Sequence, residues 1–291
     1  LLHKISFSSL RNNNGEYIAN RYQLHALTTT ASLLSPAPTF FDPSKSIMAL
    51  FGGVKYTTDE TKNEVWKYLP GTMSEANNIK KTIDKSGLTA SAYTGIDASE
   101  KNIKSLDGKK SPDVLHVATH GFFFGDPEET KKQVHVETAD VDFRGGSRGT
   151  KTLVENSNPL MRSGIVMAGA NDIWNENNTG EEDGVLTAYE VSLMNLQNTK
   201  LTVLSACETG LGDIKGSEGV YGLQRAFRIA GVKQLIMSLW QVPDKETEEF
   251  MVTFYTNLVK VKNTGQAFEM TQKTMRAKYE PYYWGAFVLV E

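Results

Sequence analysis

Short, almost unbroken apolar runs recur along the chain: SIMALFGGVKY (46–56), SPDVLHVATHG (111–121), MRSGIVMAGA (161–170), KLTVLSAC (200–207), VKQLIMSLW (232–240) and YYWGAFVLV (282–290). Runs of this length, rich in Val, Ile and Leu, predict strands buried on both faces. LTASAYTG (88–95) reads as another strand. Helical spacing fills the intervals. SEANNIKKTIDKSG predicts a helix with Ser74 as cap and Gly87 as stop, and DASEKNIKSL one capped by Asp97. SEGVYGLQRAFRIAG places Val220, Leu223, Phe227 and Ala230 on one stripe, with Gly231 at the stop. DKETEEFMVTFYTNLVKVK, capped by Asp244, and GQAFEMTQKTMRAKY follow. Strands alternating with helices predict an α/β fold with a mostly parallel central sheet covered on both faces. Ahead of it, HKISFSSL and YIANRYQLHAL flank Asn14-Gly15, the signature of an N-terminal β-hairpin. TTTASLL (28–34) predicts a short helix, SPAPTFFDPSKS (35–46) a Pro-rich connection, and the polar stretch from Asp126 to Asn158 a long surface loop.

At 291 residues and 40% apolar, the chain can bury one large core. A net charge of −3 and the lack of any Lys/Arg block argue against nucleic acid as partner. No apolar run approaches the roughly 18 residues of a membrane span, and no signal pattern opens the chain. Cys207 is the sole cysteine, which excludes an intrachain disulfide and points to a reducing, cytoplasmic setting. The chain starts Leu-Leu and already reads as a strand, suggesting the C-terminal piece of a longer protein.

Cys207 sits where an apolar run gives way to five glycines in thirteen residues, Gly210, Gly212, Gly216, Gly219 and Gly222. In open α/β sheets the working groups collect beyond the carboxyl ends of strands. One strand here ends in His120-Gly121 and another in Cys207, so imidazole and thiol can meet at one rim. A thiolate can attack an amide carbonyl, and imidazole can carry the proton to the leaving amine. The amides of Gly121 and Cys207 are the natural oxyanion donors. Other readings compete. A lone Cys at a strand end is often a small core hydrophobe. By period two His116 shares a face with His120 but reads as a packed, hydrogen-bonded histidine. On a strand the two histidines stand roughly 13 Å apart, too far to share a metal, and no second Cys or H-E-x-x-H supports zinc. GLGDIKG imitates a phosphate loop, yet its spacing is G-x-G-x-x-x-G and no G-K-S/T follows. The glycines better suit a loop that lets a substrate backbone come close.

Taken together, VLHVATHGFF, LTVLSACETG, EDGVLTAYEVSLMNL, GLQRAFRIAGVKQLIMSLWQVPD and the closing YYWGAFVLV resemble the CHAT domain, a caspase-like cysteine peptidase module usually found behind tetratricopeptide repeats. The resemblance covers essentially the whole chain as one domain. It implies a caspase/haemoglobinase-like α/β/α sandwich, His120 and Cys207 as the catalytic dyad, and a protein or peptide substrate; no cofactor and no metal site is expected from the residues. It also implies an upstream repeat or sensor domain that regulates the site. Substrate would pair with the edge after IMSLW, making Trp240 a pocket wall and Gln241 a lining residue. Relatives with basic specificity place Asp two residues before the cysteine, where this chain has Ser205; the acids left to serve a basic residue are Asp183, Asp244, Asp59 and Glu60. The preference at the cleaved residue therefore leans toward Arg or Lys without excluding an apolar one. Rival readings are a catalytically inactive interaction module, an acyltransferase or hydrolase using the same dyad on a small substrate, and a dinucleotide-binding enzyme. The 126–158 loop is a candidate switch or self-cleavage segment. In the family's setting the targets are other bacterial proteins, including death effectors and defence components.

Overall fold

A computed structural model describes residues 5–22, 24–27, 46–58, 64–124, 153, 156–174, 182–206 and 218–291. The segment 28–34, the Pro-rich connection to residue 45, most of the 126–158 loop, and Asp59, Glu60 and Cys207 lie outside the described residues. The strands, in chain order, are Ile47–Val54 (β1), Thr89–Gly95 (β2), Val114–Val117 (β3), Gly121–Phe123 (β4), Ser163–Val166 (β5), Val185–Thr187 (β6), Leu201–Leu204 (β7), Gln234–Ser238 (β8) and Phe287–Val290 (β9). The helices are Pro70–Lys85 (α1), Glu100–Lys104 (α2), Ala170–Trp174 (α3), Ala188–Leu193 (α4), Glu218–Ile229 (α5), Asp244–Val261 (α6), Thr264–Arg276 (α7) and Pro281–Trp284 (α8). No helix among the described residues is long and apolar enough to cross a membrane.

The central sheet runs β2-β1-β3-β7-β8-β9. Every pairing is parallel except β8 with β9, which closes one edge antiparallel. Alternation along β1 explains its unbroken hydrophobicity. Met48 and Leu50 face Ile79 and Ile83 of α1 and Phe250, Phe254 and Tyr255 of α6, whereas Ala49 and Phe51 face the opposite core with Phe227 of α5 and Leu186 of β6. Both sides of each central strand are thus out of water, and the fold is the α/β/α sandwich that the resemblance implies.

The MRSGIVMAGA run departs from the central sheet. It supplies β5 to a separate antiparallel sheet of order β4-β5-β6, which packs on the α5 side. Three predicted caps move as well. The first helix begins at Pro70 rather than after Ser74, because proline at the first helical position needs no amide partner and has its φ already set. Ser99, not Asp97, caps α2 by accepting the Asn102 amide at 3.3 Å. Asp244 is the first residue of α6 rather than its cap, which is Pro243. The glycine stops hold: Gly87 has φ of 81° and Gly231 of 104°.

The predicted N-terminal hairpin is reduced to its turn. Arg11 and Tyr17 form one antiparallel bridge, Asn12 donates its amide to Glu16, and Gly15 takes φ of 79°. The arms become 3₁₀ turns at Phe7–Ser9 and Ile18–Asn20. Ile5, Phe7 and Leu10 remain exposed, and a two-stranded ribbon without an apolar face to cover is marginal in water. Tyr17 instead meets Trp284 edge-on at 5.2 Å, and Ala26 bridges Val290 of β9.

Gly52 marks the closest approach of β1 to α1. A β-carbon there would stand 2.6 Å from the Thr72 carbonyl oxygen and 2.9 Å from the Ala76 β-carbon. Gly52→Ala is expected to lower unfolding free energy by about 1–3 kcal/mol in urea denaturation. A midpoint unchanged from wild type would show that the helix and strand can separate at no cost.

Candidate active site

The site is set by two adjacent parallel strands. In β3 and β7 the last register partners are Val117 and Leu204. His120 and Cys207 each follow that pair by three residues in the chain. Beyond the pair the chains stay together: Ser205 donates its amide to the Val117 carbonyl at 2.9 Å, while Ala118 donates to Phe51 at 2.8 Å. The description of the second strand stops at Ala206, so the position of Cys207 lies outside it.

His120 is held from several sides. Its Nε2 lies 2.7 Å from the Lys67 carbonyl oxygen. A carbonyl only accepts, so Nε2 carries the proton in neutral imidazole and Nδ1 keeps its lone pair. Nδ1 is buried and has no hydrogen-bond partner among the described residues. The ring lies between Tyr56 and Trp66, with centroids at 5.1 and 5.4 Å. This burial pushes the imidazole below its ordinary value of 6.5, against the opposing pull of the Lys67 carbonyl and of Asp244. The Tyr56 hydroxyl accepts the His120 amide at 3.3 Å and lies 2.8 Å from Thr119 Oγ1, which donates to the Val166 carbonyl. Burial raises the Tyr56 phenol to about 12, so it remains protonated.

Gly121 opens β4 opposite Ile165. Phe124 donates to the Arg162 carbonyl and Val166 to that of His120, both pairs two apart from Phe122–Gly164 in the ladder. By antiparallel alternation the Gly121 amide is turned away from β5.

Behind the rim lies a polar cluster. Ser205 donates its hydroxyl to Glu75 Oε2 at 3.0 Å, Glu75 Oε1 lies 3.1 Å from His116 Nε2, and His116 Nδ1 lies 3.1 Å from the Tyr255 hydroxyl. Glu75 is 2% exposed and His116 0%. His116 is thus the packed, hydrogen-bonded histidine that the sequence suggests. It does not share a strand face with His120, however, because β3 ends at Val117 and the chain turns before His120. The two rings point to different partners, His116 to α1 and α6 and His120 to the 56–67 segment.

An open cleft joins these groups, with Glu75, Thr119, His120, Ser205, Gln241 and Asp244 on its walls. Of the residues nominated from sequence, His120, Ser205, Gln241 and Asp244 therefore come together. Trp240 does not line this cleft; it is half-buried and donates its indole N–H to the Tyr282 carbonyl at 2.9 Å. Asp183 lies apart at the entry to β6, where its carboxylate accepts the Val185 amide at 2.9 Å beside Glu100, Lys104 and Glu190. Burial raises its carboxyl above the usual range.

Two contributors escaped the sequence reading. The Lys67 carbonyl is backbone and has no side-chain signal. Glu75 had one: with Thr72, Ala76, Ile79 and Ile83 it lies on the buried stripe of α1, where a carboxylate needs a reason.

Comparison with known proteins adds family membership. Tetratricopeptide repeat protein 28 of Mus musculus is 24% identical over 302 residues, and that of Homo sapiens 25%. Each alignment takes in 99% of this chain but only 12% and 11% of those proteins, so the chain spans about an eighth or less of these relatives' length. Among solved structures, the Arg-specific cysteine proteinase gingipain R superposes with a TM-score of 0.46 and 9% identity, over 87% of this chain and 48% of that one. The CHAT domain model matches residues 1–291 from end to end, and the chain accordingly belongs to the CHAT domain family.

Proposed function

We propose that this domain is a cysteine endopeptidase in which Cys207 attacks a peptide carbonyl and His120 manages the proton. The observation that supports this reading is the parallel Val117–Leu204 pair on neighbouring strands, from which His120 and Cys207 are each three residues removed in the chain. The rest of the imidazole's setting agrees. With Nε2–H fixed on Lys67, Nδ1 is the nitrogen left to take the thiol proton and deliver it to the departing amine. Attack forms the carbon–sulfur bond as the carbonyl pair moves to oxygen, toward the amides of Gly121 and Cys207. Collapse expels the amine, which takes the proton from His120. Water then attacks the thioester and releases the acid and the thiol.

Substrate alignment is narrower than the sequence suggests. β9 occupies the edge of β8 through Ser238, and Leu239 donates its amide to the Ala286 carbonyl at 2.8 Å. A peptide adding to this edge would align beyond it, along residues 240–242, where Gln241 faces the cleft. The curated relatives are tetratricopeptide repeat proteins, which supports a repeat domain as regulator of the site in the full-length protein.

Because Cys207 is the sole cysteine, iodoacetamide labelling reports on it alone. His120→Ala should slow that labelling, and Cys207→Ala or His120→Ala should each cut peptide cleavage by on the order of a thousandfold or more. Cleavage retained by Cys207→Ala would refute the mechanism, and a folded wild-type protein with an inert thiol and no cleavage would favour the interaction-module reading.

The imidazole must be neutral to take a proton, and burial keeps it neutral to lower pH than a free histidine. The acid limb of kcat/KM is therefore expected to have its midpoint below 6.5, and a midpoint above that value would contradict the burial argument. Tyr56→Phe removes the hydroxyl that holds the His120 amide and Thr119. It should reduce kcat more than it raises KM and cost about 1–3 kcal/mol of stability in a denaturant titration.

A further inference from the structure

We propose that the cleft beside His120 receives a cationic side chain, with Glu75 at its floor and Asp244 at its mouth as the carboxylates that select lysine or arginine at the cleaved bond. This rests on the protease reading above and assigns its substrate class. Glu75 is 2% exposed and Asp244 is exposed, so the two line one cleft at different depths. Among the described residues on its walls there is no Lys or Arg. An anionic side chain would enter without a cation to meet it, and an apolar one would leave two carboxylates facing hydrocarbon.

The starts of α1 and α6 also border the cleft, through Gly71, Thr72 and Thr247. Each helix end is worth roughly half a positive charge, set against the two carboxyl groups on the cleft walls. Gly71 lets these ends touch: a β-carbon there would stand 2.6 Å from that of Asp244. Ser205 holds the Glu75 carboxylate through Oε2 at 3.0 Å, so one of its oxygens is positioned before a ligand arrives. A separate sign of an unfilled partner position is Glu75 itself, 2% exposed, whose buried Oε1 lies 3.1 Å from His116 Nε2 but accepts no hydrogen bond among the described residues.

The test pairs an amidinium probe, benzamidine, with its neutral counterpart benzamide, titrated into the 291-residue Cys207→Ala chain so that binding is read without turnover. Benzamidine should bind roughly tenfold or more tightly, and Glu75→Gln should erase most of that preference. Asp244→Asn, at an exposed position, should reduce it several-fold and keeps the test open if Glu75→Gln fails to fold. On wild-type protein, peptides with Arg or Lys before the cleaved bond should exceed Asp, Leu and Met peptides in kcat/KM. Equal binding of the two probes, or a preference that survives both folded variants, overturns the proposal. Amidinium preference without cleavage of any peptide keeps the pocket and refutes the protease reading; cleavage after apolar residues without amidinium preference does the reverse.

Discussion

Parallel pairing of β3 with β7 is the constraint on which the rest of the molecule depends. Two strands in register deliver their ends to the same height, and Ser205, just past Leu204, still donates its amide to the Val117 carbonyl. Each central strand must also be apolar on both faces, because α1, α6 and α7 cover one side and α5 with the small sheet the other. Chemistry is therefore confined to the strand ends, where main-chain pairing gives out and side chains can be polar. His120 and Ser205 lie there, each one to three residues past its strand.

A different logic governs the polar groups just behind that rim. Glu75, His116 and Tyr255 are withdrawn from water, and removing one member would leave a buried charge or donor without compensation. They hold each other in place, and Ser205 connects them to the rim. His120, by contrast, is packed against aromatic rings and tied through one nitrogen, leaving the other available. One histidine is consumed by structure and the other is kept in reserve, although both have side chains almost wholly out of solvent.

Much of this was legible in the sequence. The apolar runs located β1, β3, β7, β8 and β9, and the position of His120 just past a strand followed from where its run stops. Legibility failed where a tertiary contact outweighed a local signal. Ser74 reads as a cap, but Pro70 starts the helix a turn earlier. Asn14-Gly15 makes its turn, but the arms coil into 3₁₀ turns and, among the described residues, pair with the central sheet only through the Ala26–Val290 bridge. MRSGIVMAGA has the composition of a central strand, yet joins an antiparallel neighbour that periodicity cannot name. Glu75 was written on the buried stripe of α1 for anyone counting by helical turns; its link to Ser205, 130 residues away, required the fold.

The hold on His120 has a last consequence. Its anchor is the main-chain oxygen of Lys67, and that residue's own side chain is exposed. Exchanging lysine for most other amino acids leaves the oxygen in place, so systematic alanine replacement would pass over one of the atoms that matter most to the imidazole. The anchor is invisible to any inventory of side-chain identities and is preserved by the path of the chain alone.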